Sequence, residues 1–293
     1  MAKEKMRYTP LRLARNYLRY YFTADNGKGH GIHSPFVFDL VTKVLNDRGS
    51  YAEYGPIETL RQRLRGDATV LQVEDMGAGS ARGEEAARGI RDKRPAHSGD
   101  ANTRSATVIS RSVREIVRGS AKPPRFGQLL FRIARHYHPS TVVELGTSLG
   151  LSTAYLAAGA SGARIYTIEG APAVAAAAGD NLRSLGLAAQ VIAGNFETRL
   201  GPLLERIAPV DLAFIDGNHL FEPTLRYFEA FLRHASPAAT FIFDDIHWSP
   251  GMERAWASIK NDPRVLLTVD LFFIGLVFIR EEFKVKQDFT IRF

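Results

Sequence analysis

The 293-residue sequence contains no cysteine. That absence excludes disulfide staples, a thiolate nucleophile and cysteine-based zinc sites, and it fits a reducing compartment. No run approaches the roughly 18 consecutive apolar residues that a membrane-spanning helix needs. The opening residues, Met1-Ala-Lys-Glu-Lys-Met-Arg7, lack an apolar signal core. The expectation is a cytoplasmic chain with no membrane span. What is present is a 45% hydrophobic composition, which argues against a fibrous or disordered chain. It suffices for one large core plus a smaller appendage, since single domains commonly hold about 100 to 200 residues.

Charge is unevenly placed. Of the net +7, residues 1–125 carry 23 Lys and Arg against 14 Asp and Glu, an excess of +9, while residues 126–293 carry 15 against 17. A basic front half could meet nucleic acid, an acidic membrane face or an anionic partner, although solvated surface charge is the commoner explanation. Within it, residues 9–23 place Leu11, Ala14, Leu18 and Tyr21 at helical spacing behind Pro10, with Arg12, Arg15 and Arg19 on the other side. Such a helix packs on its own domain or meets RNA or a membrane surface. A loop at 27–36 leads into a second apolar helix over 36–45. Its two histidines, His30 and His33, are too few for a metal site.

From Phe126 onward strand and helix patterns alternate. Strands are expected at 141–145, 164–168, 189–193, 210–215, 239–243, 265–270 and 274–279. This rhythm implies a mainly parallel, Rossmann-like seven-stranded α/β sheet covered on both faces, and the short link 271–273 implies that the last strand returns antiparallel. Ligands in such sheets lie at the carboxyl ends of the strands.

The most informative stretch is Thr141-Val-Val-Glu-Leu-Gly-Thr-Ser-Leu-Gly150, a strand ending in a carboxylate and a glycine loop. Gly146 and Gly150 permit a sharp turn and a close approach to a ligand. Glu169 closes the next strand about 20 residues further on, where a doubly wound fold grips ribose hydroxyls. A dinucleotide is disfavoured, because Glu144 would repel a pyrophosphate and the spacing is GxxxG, not GxGxxG. A ligand bearing a sulfonium and an ammonium is attracted instead, which points to S-adenosylmethionine. A second stretch, Val70-Leu-Gln-Val-Glu-Asp-Met-Gly-Ala-Gly-Ser80, has similar lettering, but no apolar strand ending in an acid follows it. Residues 66–107 are therefore expected to form a mobile basic connector.

With these motifs aligned, the segment from about 126 to 281 resembles the class I S-adenosylmethionine-dependent methyltransferases, and among them the cation-dependent O-methyltransferases of the catechol and caffeoyl-CoA type. The resemblance recurs at Gly127-Gln-Leu-Leu130, Glu144 through Ser152, Gly194-Asn-Phe-Glu197, Phe214-Ile-Asp-Gly-Asn-His219, Asp244-Asp-Ile-His-Trp248 and Asp262-Pro-Arg-Val265. It implies cofactor contacts from Glu144, Gly146, Thr147, Ser148, Gly150, Ser152, Glu169, Gly194, Asn195, Phe196 and Asp216. It also implies a magnesium or other divalent cation on Asp216, Asp244 and Asp245, since oxygen ligands suit hard cations. A bound cation stabilises the deprotonated form of a hydroxyl and aims it at the methyl group.

Two positions depart from the family pattern. An amide is usual where Asp245 stands, and a lysine stands as candidate base where this chain has His219, so His219 with Asp216 forms the expected catalytic pair. The bland alternatives are that Asp216 caps the helix over 220–234 and that Asp244 and Asp245 merely end a strand in solvent. His219 and His247 are alternatively plain surface groups, and Trp248 either stacks on a flat ligand or closes the core.

Three units are expected: a helical N-terminal region at 1–65, a basic flexible connector at 66–120 and a methyltransferase domain at 121–293. The expected activity is O-methylation of a small hydroxylated acceptor by in-line transfer. The alternatives are a hydroxylated RNA base as acceptor and a non-catalytic module binding cofactor or a partner. A homodimer is left open.

Overall fold

Proline opens five helices among the described residues: Pro10–Thr23 (α1), Pro35–Leu40 (α2), Pro124–Tyr137 (α5), Pro172–Ser184 (α7) and Pro250–Asn261 (α10). The ring presets φ where the missing N–H costs nothing. Between them lie helices Tyr54–Gly66 (α3), Val113–Ser120 (α4), Leu151–Gly159 (α6), Phe196–Ile207 (α8) and Phe221–Arg233 (α9). A π-helical turn, Val41–Leu45, prolongs α2. The computed structural model describes residues 7–75 and 107–293.

The strands are Val70–Asp75 (β1), Thr107–Ser112 (β2), Thr141–Leu145 (β3), Arg164–Glu169 (β4), Gln190–Ala193 (β5), Val210–Ile215 (β6), Ala235–Asp244 (β7), Leu267–Asp270 (β8), Ile274–Phe278 (β9) and Gln287–Thr290 (β10). The main sheet runs β10-β8-β9-β7-β6-β3-β4-β5. β7, β6, β3, β4 and β5 are mutually parallel, and β9 lies antiparallel between β7 and β8. From β3 the chain first builds outward through β4 and β5, then crosses back to β6 and β7. The strand order therefore reverses between β3 and β6, the switch point where a crevice opens at the strand tips.

Alternation along the strands splits the core in two. Val142, Leu212, Phe214, Ile242 and Leu276 face α2, α5 and α6, while Val143, Leu145, Ala213, Ile215, Phe241 and Phe243 face α8, α9 and α10. A third cluster joins Ile57, Leu60 and Leu64 of α3 to Val113, Ile116 and Val117 of α4 and to Leu151 and Tyr155 of α6.

Three expectations need correction. The sheet has eight strands, because Gln287–Thr290 pairs parallel with β8. Its letters, Gln-Asp-Phe-Thr, carry one large apolar residue and so give no strand pattern. Second, the flanks of the expected connector are regular structure. β1 and β2 form a two-stranded antiparallel sheet, and α4 follows with a capping box between Ser112 and Glu115. The expected mobility of 76–106 lies outside the described residues, as do the glycines of the second glycine-rich stretch. Third, α1 turns its expected face outward. Leu11 and Leu18 are 83% and 55% exposed, whereas Leu13, Tyr17 and Tyr20 pack on Phe272 and Phe273. The helix has two apolar sides, and aromatic contact area decides between them. No helix among the described residues is long and apolar enough to cross a membrane.

Candidate active site

Glu144 lies near the end of β3, wholly buried. Its Oε2 accepts hydrogen bonds from Thr153 and, at 2.7 Å, from Thr167, while its Oε1 has no partner. Burial pushes this carboxyl up to about 7, against the nearby hydroxyls of Ser152, Thr153 and Thr167, which pull it down. An acid with a raised pKa is favoured in its neutral form, and a cationic ligand favours the charged form. A cation binding beside Glu144 therefore gains affinity as pH rises through about 7 and expels a proton. Ionisation climbs from roughly a tenth at pH 6 to nine-tenths at pH 8. A ligand of permanent positive charge seated beside Glu144 is accordingly expected to bind about tenfold more tightly at pH 8 than at pH 6, with proton release near pH 7 measurable by calorimetry in buffers of different ionisation heat.

The glycine loop follows β3. Gly146 has φ +100°, and a Cβ there would lie 2.1 Å from the Asp216 carbonyl oxygen. The neighbouring strand tip is thus by itself enough to demand glycine here. The Ser148 N–H donates to Glu169 Oε2 at 2.8 Å and the Ala171 N–H to Oε1 at 3.0 Å, so Glu169 also ties the loop to the turn after β4. Thr147 shares a 2.5 Å hydrogen bond with Thr167, and Gly150 caps α6. Beyond β5, Gly194 donates its N–H to the Glu169 carbonyl at 2.9 Å and Asn195 caps α8. The ring of Phe196 lies flush against Gly217, where an added Cβ would meet it at 2.4 Å. The residues expected at the cofactor therefore lie at the adjoining strand tips β5-β4-β3-β6 or in the first turn of the helix that follows, as Ser152 does in α6 and Phe196 in α8.

The second constellation lies at the tips of β6 and β7. Asn218, His219 and Asp245 all have positive φ, at 64°, 36° and 54°. Such conformations cost on the order of 1 to 3 kcal/mol each and cluster where side chains are being aimed. His219 Nε2 stands 3.4 Å from Asp216 Oδ1, and single ligand atoms of Asp216, His219 and Asp244 lie within 4.8 Å of one another. Asp216 does not cap a helix, since α9 begins after Leu220. Burial favours the neutral His219 ring, but the hydrogen bond to Asp216 and the charges of Asp245 and Asp216 hold its pKa above the usual histidine value. Burial and the neighbouring carboxylates push Asp244 well up, while burial of Asp216 is outweighed by His219 and Lys122, which draw it down.

Lys122 was not legible as a site residue. It follows α4, and its ammonium lies 2.9 Å from Asp244 Oδ2 and hydrogen-bonds Asp245 Oδ1. Burial opposes its charge, yet Asp244, Asp245 and Asp216 hold its pKa above the ordinary lysine range. The one available signal was a lysine just ahead of Pro123-Pro-Arg-Phe-Gly-Gln128, the entry to the family-like helix. Its presence bears on the expected divalent cation. The donors are right for a hard ion, but the ammonium already bridges two of the three expected ligands. A dication about 4 Å from it would meet repulsion of roughly 8 kcal/mol at an effective dielectric of 20. With Lys122 so placed, a divalent cation reaches Asp244 and Asp245 only by displacing the ammonium, and the set as it stands does not fit one.

Around the cluster, Tyr17 stacks on Phe273 with ring centroids 5.8 Å apart. His247 is held by Asp270 at 2.8 Å and stacks on Phe272. Trp248 is half-buried beneath Arg7, whose guanidinium lies 5.9 Å from the ring.

A reversing parallel sheet with one antiparallel strand near its edge, a carboxylate and glycine loop on β3 and an acid closing β4 together define a Rossmann-like α/β fold with its crevice at the switch point. Residues 143–246 match the methyltransferase domain family. Over 126 residues the chain is 32% identical to a catechol O-methyltransferase of Mycobacterium tuberculosis, covering 41% of this chain and 54% of that protein. Over 127 residues it is 33% identical to a catechol O-methyltransferase of Niastella koreensis, covering 42% and 57%. The chain thus spans about half the length of the curated relatives it matches. An O-methyltransferase from Bacillus cereus, solved in complex with SAH, is 25% identical with a TM-score of 0.48, covering 56% of this chain and 89% of that one.

Proposed function

We propose that this chain transfers a methyl group from S-adenosylmethionine to the hydroxyl oxygen of a small acceptor. The observation that carries this reading is the partnerless, buried Oε1 of Glu144 beside the glycine loop. A buried acceptor left without a donor costs about 1 to 3 kcal/mol, more when charged, and a ligand bearing ammonium and sulfonium groups supplies what is missing. Glu169 serves the ribose hydroxyls, and Thr147, Ser148, Ser152, Gly194, Asn195 and Phe196 line the remainder. When bound, the cofactor supplies an electrophilic methyl group whose bonding electron pair stays on sulfur.

The chain's own residues handle the acceptor. His219 takes the hydroxyl proton on its ring, and Asp216 steadies the resulting imidazolium across 3.4 Å. The freed oxygen lone pair forms the new carbon–oxygen bond. Holding two reactants in line is worth roughly 7 to 11 kcal/mol of the barrier, which suits a site built mainly for positioning. Calorimetry tests the reading: wild-type protein binds S-adenosylmethionine, and Glu169→Ala, which loses the ribose acceptor and both loop tethers, binds at least about tenfold more weakly, the weight of one charge-assisted hydrogen bond. Absent wild-type binding, or undiminished binding in the variant, rejects it.

A further inference from the structure

We propose that Lys122 is a built-in cation that occupies the position expected for a divalent ion, and that the acceptor is an aromatic compound held through a single hydroxyl. The inference rests on the methyltransferase reading above and deepens it. Lys122 is fixed from several directions. Arg61, buried and paired with Glu58, donates to the Lys122 carbonyl at 2.9 Å. On one side α4 ends at Ser120, whose hydroxyl meets that of Ser148 on the glycine loop at 2.8 Å. On the other, Pro123 and Pro124 start α5 and restrict the backbone. The side chain thus leaves a rigid anchor, and its ammonium bridges Asp244, 2.9 Å away, and Asp245.

The donor count sets the acceptor class. An ammonium has three N–H donors. Two are spent on Asp244 and Asp245, which leaves one for one oxygen. A divalent ion with several open positions can chelate vicinal hydroxyls, and this ammonium cannot. Nζ lies over the Phe273 ring, 5.9 Å from its centroid, and Tyr17 stacks on that ring, so the remaining donor emerges among aromatic side chains, surroundings that favour a planar, largely apolar acceptor. In the transfer, the hydroxyl proton passes to His219 and an oxygen lone pair bonds the methyl carbon. The carbon–sulfur pair remains on sulfur, and Lys122 keeps all three protons while stabilising the developing oxyanion.

Manganese(II) alone is the probe, read by electron paramagnetic resonance on the full chain. Wild type is expected to leave the free-ion signal intact through the micromolar range. Lys122→Met vacates the carboxylates and should bind the ion at least tenfold more tightly, a gain that vanishes in Lys122→Met combined with Asp244→Asn. Wild-type binding as tight as that of the single variant overturns the proposal. Circular dichroism checks folding, and Lys122→Gln replaces the methionine variant if that fails to fold. Turnover in excess EDTA supports the proposal and its loss overturns it. Equal turnover of a monohydroxylated aromatic and its vicinal diol supports the acceptor assignment, and turnover of diols only overturns it. Failure to bind S-adenosylmethionine defeats the activity reading separately, because the manganese comparison needs no cofactor.

Discussion

Gly146→Ala is expected to lower stability by about 2 to 6 kcal/mol and turnover by roughly a hundredfold. Two terms combine. The residue sits at φ +100°, and holding a side chain at such a backbone conformation costs on the order of 1 to 3 kcal/mol. The new Cβ would also lie 2.1 Å from the Asp216 carbonyl oxygen, so β3 or β6 must move by about an ångström, at a further 1 to 3 kcal/mol for overpacking. That movement displaces Asp216 relative to the glycine loop, and a misplacement of this size commonly costs about a hundredfold in rate. Gly186→Ala is the control: Gly186 has φ +68° but nothing within 4 Å of an added Cβ, so strain alone acts, far from the strand tips. Thermal unfolding should show a fall of roughly 10 °C for Gly146→Ala and a smaller one for Gly186→Ala with turnover intact. A Gly146→Ala protein that melts and turns over like wild type would show that the two tips do not need this contact.

The sheet was legible because its strands are buried on both faces and read as apolar runs between helices. Residues 141–145 and 210–215 are of this kind, and both appear where expected. The polar edge strand Gln287–Thr290 was not legible, since an edge strand need not be apolar. Nor was the orientation of α1, because periodicity reports that a helix has an apolar side without saying which of two sides meets the protein. Tyr17 and Tyr20 prevail because Phe272 and Phe273 stand opposite them, a fact stored about 250 residues away.

The candidate site divides the same way. Residues carried on strand tips, from Glu144 to Asp245, could be read in order because the fold brings successive tips together. Lys122 lies outside that rhythm, on a link between two helices, and reaches the aspartates only through the tertiary path that Arg61 and Ser148 anchor. The substitution of a third carboxylate at Asp245, read in isolation, raised the site's negative charge. Beside Lys122 it has a physical reason, since a bridging ammonium is held better by two carboxylates than by a carboxylate and an amide.

His219→Gln is expected to reduce kcat by about 10² to 10⁴ while leaving the affinity for S-adenosylmethionine within a few-fold of wild type, because only proton acceptance is lost. The pH profile separates this role from a structural one. A histidine must be neutral to accept a proton, and the hydrogen bond to Asp216 with the nearby Asp245 charge outweighs burial to hold its pKa above the usual value. Wild-type turnover should therefore rise with pH through a limb placed above about 6.5, and that limb should be missing in His219→Gln. His219→Lys supplies a second readout, since an amine of ordinary pKa near 10 should restore part of the rate and carry the limb to more alkaline pH. Should the glutamine variant keep both the wild-type rate and the acidic limb, the proton leaves by another route and His219 serves only to hold Asp216 in place.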